Sequence, residues 1–425
     1  MGKDKRWYRL DNAAKLYPAV ATARWSSIFR VSAELNEEVK PDLLQKAVDQ
    51  VLPRFPALKV RMRKGFFWYY LEEIDQSLAV RPDAGHPCMP FRYRQDHGYL
   101  FRVFYYRKRI SAEFFHSLTD GSGGLTFIKT LTAAYLRLQG HPVSFDGGAL
   151  DPEEAPSPEE IQDAFMHMPL PKVRIARKES RAYQFPATPA ISHTLYTIAA
   201  SMPADILLRQ AKELGVTLTE YLVSIILYVS YLDQKKRMSR KKRPLRVSVP
   251  VNMRAFYPTA TLRNFSSFIN PVIDPRLGSY TFEEVVRHVR AFMQYHLNPK
   301  MLFGAIATNV ADEKNPFLRL VPLFIKNLVI STVFRRAGER GFTSTFSNLG
   351  NTPLPSGIKD HLCRFEMQLG SPSVPLCNCA AITTGNDFRL VFSSNINETT
   401  LPREMLRFLV EKGVPVQIES NMEER

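Results

Sequence analysis

Residues 114–124 read Phe-Phe-His-Ser-Leu-Thr-Asp-Gly-Ser-Gly-Gly, and the interpretation of the whole chain starts from them. The β-branched and aromatic segment 110–116 predicts a strand, and the apolar residues after Gly121 recur at helical spacing. His116 therefore stands where a strand ends, and Asp120 stands in the turn before a helix. Side chains with functional roles are often presented at such junctions.

The spacing alone supports two interpretations of this junction equally. The pKa of an unperturbed histidine is near 6.5, so His116 is largely a neutral base at pH 7, and Asp120 could orient its ring. Alternatively, His116 is a core histidine and Asp120 is the N-cap of the helix, where Asp is favoured. No Gly-x-Ser-x-Gly sequence supports a covalent nucleophile, and no nearby His or Cys supports a metal site.

The composition predicts a folded protein that favours anionic partners. The 425 residues include 57 Lys and Arg against 41 Asp and Glu, a net charge of +16, and 45% of them are hydrophobic. This length predicts two or three domains or two large lobes, and the apolar share excludes a disordered chain. Four cysteines are too few for a disulfide framework. Residues 1–10 contain no apolar signal segment, so we expect a cytoplasmic protein.

Positive charge is concentrated at residues 235–246, which contain eight basic and no acidic residues. A solvated helix end followed by a loop explains this run without any ligand, because basic residues favour a helix C-terminus. Nucleic-acid binding favours aromatic residues interleaved with the charge, and the run has none, so we expect no nucleic acid. Coenzyme A phosphates or an anionic membrane surface are the other hypotheses, with Lys241, Lys242 and Arg243 as candidate contacts.

A change in composition divides the chain. Residues 140–189 combine Gly and Pro with an acidic run and a basic patch, which is typical of a linker. We predict an N-terminal lobe at 1–145, a crossover linker at 146–190 and a C-terminal lobe at 191–425. Strands and helices alternate in both lobes without a strict βαβ order, so the predicted fold is mixed α/β, or α+β.

Particular elements are predicted in the C-terminal lobe. The patterns indicate a buried helix at 217–231, an amphipathic helix at 282–296 and a hairpin at 379–396 that turns at Gly385-Asn386. The apolar runs 221–232 and 320–330 are too short, or too interrupted by Lys326, to span a bilayer.

The segment from His116 to Gly121 is an HxxxDG sequence and resembles the motif of the coenzyme A-dependent acyltransferase superfamily. That superfamily includes chloramphenicol acetyltransferase, condensation domains, plant BAHD enzymes, wax ester synthases and mycobacterial polyketide-associated acyltransferases. Three further segments agree with it in order and spacing: Val249-Pro250-Val251-Asn252-Met253-Arg254, Arg263-Asn264-Phe265 and Ser347-Asn348-Leu349-Gly350. The resemblance spans nearly the whole chain and looks closest to bacterial alcohol acetyltransferase-like proteins.

This resemblance implies two chloramphenicol-acetyltransferase-like lobes, each a mixed sheet flanked by helices, with an active-site tunnel between them. It implies that His116 is the general base that deprotonates an acceptor alcohol, or less favourably an amine. The acceptor then attacks acyl-CoA directly, without an acyl-enzyme. Acyl-CoA is a co-substrate in this scheme, and we expect no permanently bound cofactor, no metal and a monomer.

The resemblance also implies roles for the other motif residues. Asp120, next to Gly121, is structural in relatives, and its expected ion-pair partner here is Arg254, with Arg263 as the second candidate. Ser347 and Asn348 are candidate hydrogen-bond donors to the oxyanion of the tetrahedral intermediate, although a turn that only ends a strand explains them equally well.

Two departures from the family patterns limit what is carried over. Phe115 stands where many condensation domains have a first histidine, which makes amide condensation on carrier proteins less favoured. The Asp-Phe-Gly-Trp-Gly segment of BAHD enzymes is also missing from the sequence. The alternative hypotheses are a non-catalytic member that binds an acyl thioester or a lipid, and an enzyme that uses a carrier-protein-bound donor.

Overall fold

A computed structural model describes residues 5–21, 26–92, 95–173, 175, 179–191, 194–237 and 242–422. The α-helices among these residues are α1 (Leu16–Val20), α2 (Pro41–Val51), α3 (Gly121–Leu138), α4 (Ala204–Glu213), α5 (Leu218–Lys236), α6 (Phe282–His296), α7 (Pro299–Lys314), α8 (Pro316–Leu320), α9 (Leu323–Ala337) and α10 (Thr400–Glu411). The strands are β1 (Trp7–Arg9), β2 (Ile28–Leu35), β3 (Val60–Lys64), β4 (Tyr69–Glu73), β5 (Arg81–Pro82), β6 (Phe101–Tyr106), β7 (Arg109–Phe115), β8 (Tyr196–Pro203), β9 (Leu245–Asn252), β10 (Ser266–Ile269), β11 (Val272–Ile273), β12 (Ser344–Asn351), β13 (Leu362–Leu369), β14 (Cys377–Thr384), β15 (Asp387–Ser394) and β16 (Gln417–Ser420).

The strand that leads to His116 is the middle strand of a five-stranded sheet in the order β13-β2-β7-β6-β5. Phe114 of β7 stacks between Phe29 of β2 and Phe101 of β6, with ring centroids 5.5 and 5.8 Å apart. Phe127 of α3 meets the Phe114 ring edge-on at 5.7 Å, so α3 packs on this face of the sheet. The junction between β7 and α3 is therefore anchored on both sides by buried aromatic packing.

One strand departs from the predicted division of the chain into lobes. β13 lies at 362–369, within the predicted C-terminal lobe, yet it pairs antiparallel with β2 at the edge of the N-terminal sheet. Phe365 of β13 is fully buried there, opposite Ala33. A boundary at residue 190 therefore does not place this strand with the sheet it joins, because an edge strand can come from a part of the chain that is distant in sequence.

The second large sheet has the order β10-β9-β12-β14-β15-β8-β16, with β11 also paired to β9. The predicted hairpin is confirmed as β14 and β15, with Gly385 at a φ of 60° in the turn. The predicted helix at 282–296 is confirmed as α6, and α5 runs about one turn beyond the predicted 217–231. Both helices begin with a capping box, at Thr217 and Thr281.

Helices α7, α8 and α9 were not predicted from the sequence, which indicated only an apolar run at 320–330. Many of their apolar residues are exposed, so the alternation of apolar and polar residues that marks a helix is weak here. A third, small sheet of β1, β4 and β3 lies in the N-terminal part of the chain.

Among the described helices no single one has the length and apolar character of a membrane span. Helices α4 and α5 reach that length and apolar character only together, and the pair is bent by 80°.

Candidate active site

His116 is held at the end of β7 by its backbone and by two aromatic rings. Its N–H donates to the carbonyl of Ser27 at 2.9 Å, which extends the pairing of β2 and β7 by one residue. The imidazole stacks on Tyr17 of α1 with ring centroids 4.5 Å apart, and it meets Phe29 at 5.1 Å. His116 is partly exposed as a residue and its ring is packed on two sides, so its orientation is fixed before any substrate arrives.

A chain of hydrogen bonds sets the tautomer of His116. Nδ1 lies 3.0 Å from Oδ1 of Asn264, and Nδ2 of Asn264 donates to Oδ2 of Asp11 at 3.3 Å. A carboxylate only accepts, so Asp11 determines which end of the Asn264 amide faces the imidazole. Nδ1 therefore carries the proton, and Nε2 has the free lone pair. No hydrogen bond joins Nε2 to another residue of the described chain.

The surroundings of His116 favour its neutral form. Burial lowers the pKa of the imidazole, and this effect outweighs the opposing effects of its own backbone, of Asn264 and of the Asp120 and Asp11 carboxylates. Asp11 is itself fully buried, and burial raises its pKa against the attraction of Arg263. At neutral pH His116 is consequently an available base rather than an imidazolium ion.

Asp120 holds the junction together and is turned toward the second lobe. Its Oδ1 accepts from the N–H of Gly123 at 3.1 Å, which makes it the N-cap of α3. Its Oδ2 lies 2.8 Å from both Nη1 of Arg254 and the N–H of Phe265. Asp120 thus caps helix α3 and is also one partner of a buried ion pair.

Arg254 fixes the loop that presents Asn264. Its guanidinium donates to the carbonyl of Thr261 at 2.8 and 3.0 Å and to the carbonyl of Arg263 at 2.7 Å. Arg263, the second candidate partner of Asp120, does not take that role. Its side chain lies 3.5 Å from the buried Asp11 and donates to the carbonyl of Arg9 at 2.6 Å, because the loop turns only its backbone toward Arg254.

Solved structures share this architecture over nearly their whole length. Polyketide synthase associated protein 5 from Mycobacterium tuberculosis is similar with a TM-score of 0.62 and 16% identity, covering 95% of this chain and 96% of that one. Trichothecene 15-O-acetyltransferase from Fusarium sporotrichioides is similar with a TM-score of 0.65 and 11% identity, covering 97% and 95%. This is the two-lobed chloramphenicol acetyltransferase and condensation-domain fold. The first condensation domain of the CDA synthetase is also similar, with a TM-score of 0.59 and 13% identity over 96% of both chains.

These identities show the fold alone, and the chain matches no protein-family model and no curated protein by sequence. The similar proteins include an acetyltransferase and condensation domains, so an acyltransferase or condensation-like fold is established for this chain.

Two glycines let the lobes of this fold approach each other at the junction. A Cβ on Gly123 would lie 2.1 Å from Oγ1 of Thr119 and 2.3 Å from the carbonyl oxygen of Leu262, in the same loop as Asn264. A Cβ on Gly121 would lie 3.0 Å from Leu349 and 3.1 Å from Met367. Gly123 is therefore required for close backbone contact with the second lobe, and Gly121 packs against β12 and β13.

The expected oxyanion donors are engaged within the second lobe or buried in it. Asn348 donates from Nδ2 to Oγ1 of Thr219 at 3.1 Å and accepts the N–H of Gly350 at 2.8 Å. Ser347 is buried in β12 beside Ala380 of β14. An oxyanion role for the Asn348 amide would require it to leave Thr219.

The basic run is described only in part, since Lys241 lies outside the described residues. Lys242 and Arg243 are exposed, and the backbone of Arg243 is bonded to the side chain of Gln234 at the end of α5. Within the described ranges no three His, Cys, Asp or Glu side chains are grouped as metal ligands would be.

Sequence patterns did not indicate the partners of His116. Asn264 belongs to the Arg-Asn-Phe segment noted for its resemblance, but no role was assigned to it. Asp11 and Tyr17 lie in a short N-terminal stretch with no motif, and only the folded structure brings them to the imidazole.

Proposed function

We propose that this protein transfers an acyl group from acyl-CoA to an alcohol, with His116 as the general base. The observation that supports this is the bond between Nδ1 and Asn264, which leaves Nε2 as the basic atom on a partly exposed ring. A positioned general base contributes roughly 10²–10⁴-fold to the rate.

The proposed reaction needs one proton to move twice. The acceptor hydroxyl gives its proton to Nε2 of His116 as its oxygen attacks the thioester carbonyl. The tetrahedral intermediate then breaks its C–S bond, and the departing coenzyme A sulfur takes the proton from Nε2. The products are an ester and free coenzyme A, and His116 is restored to its neutral form.

Ser27 is paired with His116 through the backbone and carries a hydroxyl without a bonding partner among the described residues. It lies opposite His116 at the end of the β2–β7 pairing and has a left-handed φ of 51°, which is uncommon for a residue with a Cβ. Its Oγ is buried and has no hydrogen-bond partner in the described part of the chain. A donor next to the thioester carbonyl would stabilise the oxyanion, and Ser27 is a second candidate because its Oγ is unbonded within the described chain whereas the amide of Asn348 bonds to Thr219.

Coenzyme A contacts by Lys241, Lys242 and Arg243 stay a proposal, supported by charge and by the exposure of Lys242 and Arg243. A carrier-protein-bound donor is the second candidate, since condensation domains share the fold.

Thiol release from acetyl-, octanoyl- and palmitoyl-CoA, with and without a panel of alcohols and amines, tests the proposed function. We expect release that requires an alcohol and yields the matching ester by mass spectrometry. If an ester formed only from a carrier-protein thioester, the acyl donor would be a carrier protein rather than coenzyme A. Binding of acyl-CoA without turnover by any acceptor would contradict the proposal and favour the non-catalytic alternative.

Asn264→Ala is expected to lower kcat/KM by about 10–100-fold, a part of the general-base contribution, because Nδ1 loses the acceptor that sets its tautomer. The bond to Asn264 raises the pKa of His116, so its removal lowers that pKa further and moves the acid limb of the pH–rate profile to lower pH. The shift is measured by comparing the pH profiles of kcat/KM for the wild-type protein and Asn264→Ala.

Asn270→Ala is the matched control, because Asn270 is also a buried asparagine of the second lobe and donates to Glu179 away from His116. It is expected to change stability and leave the acid limb in place. If Asn264→Ala also left the limb in place, Asn264 would have only a structural role.

A further inference from the structure

An exposed apolar surface lies on the segment that the sequence patterns did not predict. It combines one face of α9 with α8 and with the turn between β3 and β4. We call it the α8–α9 surface, and its exposed members are Phe66, Trp68, Phe317, Leu318, Leu320, Phe324, Ile325, Leu328, Val329 and Val333. Exposed apolar patches of this kind mark interaction sites.

The α9 members share one side of the helix. Phe324, Leu328 and Val329 follow helical spacing, and the next residue on this face, Thr332, turns its hydroxyl back to the carbonyl of Leu328 at 2.7 Å. Among the described side chains from Phe324 to Val333, this face therefore offers no free hydrogen-bond donor to a partner. Such a face suits an apolar phase rather than a polar protein surface.

A single lysine joins the three segments of the surface. Nζ of Lys326 donates to the carbonyl of Phe67 at 3.0 Å and to the carbonyl of Arg319 at 3.2 Å. Leu323 is buried, and its N–H donates to the carbonyl of Phe66 at 2.9 Å. The inner side of α9 is thus fixed to the β3–β4 turn, which carries the exposed aromatic residues Phe66 and Trp68.

The charge around this surface is mainly positive, although Arg61 and Arg63 of β3 pair with Glu72 of β4. Residues 314–338 contain five basic and no acidic residues, and residues 59–68 contain four basic and no acidic residues. Lys64 and Arg319 are exposed. Glu313, just outside the segment, already pairs with Lys15. An apolar helix face with aromatic neighbours and a basic surround is the pattern of a helix that lies in the interface of an anionic bilayer.

We propose that the α8–α9 surface docks the protein on an anionic lipid bilayer. The occupant is a membrane rather than a second copy, because a symmetric contact would bring the basic segments of two copies together. The same observations place the contact on α8 and α9 and not on the basic run at 235–246, which lacks exposed apolar residues among its described members.

Docking would bring lipid close to the candidate base. α9 packs on α1, and Tyr17 of α1 stacks on the His116 ring. The two helices α9 and α1 therefore lie between the proposed lipid contact and the imidazole. If the proposed acyl transfer holds, on which this step rests, the acceptor class is an alcohol with an alkyl chain that resides in the bilayer.

Co-sedimentation with vesicles tests the docking without requiring turnover. We expect the full chain to bind vesicles of phosphatidylcholine mixed with phosphatidylglycerol, and to bind pure phosphatidylcholine more weakly. Leu328→Asp/Val329→Asp is expected to lower the partition coefficient by more than about tenfold, because two charges enter the apolar face. The matched control is Leu208→Asp/Val410→Asp, since these side chains are 52% and 55% exposed on α4 and α10, against 64% and 56% for Leu328 and Val329.

Four results would overturn the proposal. The first is that wild-type protein ignores anionic vesicles, and the second is that Leu328→Asp/Val329→Asp binds them as well as its control. The third is that Lys242→Glu/Arg243→Glu abolishes binding while the α9 variant retains it, which would assign docking to the basic run. The fourth is that light scattering shows a dimer held by this surface, which would make a second copy the true occupant. Equal melting temperatures of the variants exclude loss of the fold. None of these experiments measures acyl transfer, so they test membrane docking even if the proposed function is wrong.

Discussion

His116→Ala is expected to lower kcat/KM for acyl transfer by about 10²–10⁴-fold while the protein stays folded. The variant removes Nε2, the atom that takes the acceptor proton in the proposed reaction. It leaves the backbone bond from residue 116 to Ser27, and it removes a partly exposed ring rather than a core side chain. Thiol release with the best acyl-CoA and alcohol pair measures the loss, and circular dichroism checks the fold.

His288→Ala is the control for this variant, because His288 is exposed on α6 and takes no part in the candidate site. It is expected to keep wild-type turnover. A His116→Ala protein with turnover within about twofold of wild type would show that another group, or water, accepts the proton.

If His116 is the general base, the pH dependence of wild-type kcat/KM should follow the pKa of its imidazole. Burial lowers the pKa of His116, so the basic form persists below the usual histidine range. The acid limb of kcat/KM should therefore lie below about pH 6.5, the unperturbed value. A limb that lies clearly above it would mean that a group with a raised pKa is the base.

The local part of the site was predictable from the sequence, and the long-range part was not. His116, Asp120 and Gly121 lie within six residues, so one strand, one turn and one helix position them, and short-range patterns indicate all three elements. Asn264 is 148 residues from His116 and 253 residues from Asp11, and contacts between residues so far apart produce no periodic pattern in the sequence. Only the packing of the two lobes decides which asparagine reaches the ring.

The fold shows the same limit. The hairpin of β14 and β15 and the helix α6 have strong local signals and were predicted correctly. β13 was not placed in the N-terminal sheet, because any strand with a suitable apolar face can complete an open edge. Helix α9 was not predicted because its exposed face is apolar, so its sequence lacks the alternation of apolar and polar residues that indicates an amphipathic helix.

The candidate site depends on one ion pair for its assembly. Asp120 binds Arg254 and the N–H of Phe265, and Arg254 binds the carbonyl of Arg263. The residue between Arg263 and Phe265 is Asn264, which orients the imidazole. Asp120 therefore acts on the base through the loop that carries Asn264, and it is a positioning residue rather than a catalytic one.

Asp120→Ala is accordingly expected to lower the free energy of unfolding by about 3–5 kcal/mol, the usual cost of removing one partner of a buried ion pair. The change leaves Arg254 without its carboxylate, and it deprives the N–H groups of Gly123 and Phe265 of their acceptor. Urea unfolding followed by circular dichroism measures the difference. The folded fraction should also lose turnover, because the loop that holds Asn264 is no longer tied to the first lobe.

Asp205→Ala is the matched control, since Asp205 pairs with Arg209 at 3.7 Å on the exposed side of α4 and such surface pairs contribute about 1 kcal/mol or less. Asp120→Asn separates the two roles of the carboxylate. Its amide oxygen can still cap α3 at Gly123, but its amide nitrogen then faces the donors of Arg254 and Phe265. We expect it to be nearly as destabilising as Asp120→Ala, and an Asp120→Asn protein as stable as wild type would show that helix capping, not the contact between the lobes, is what Asp120 contributes.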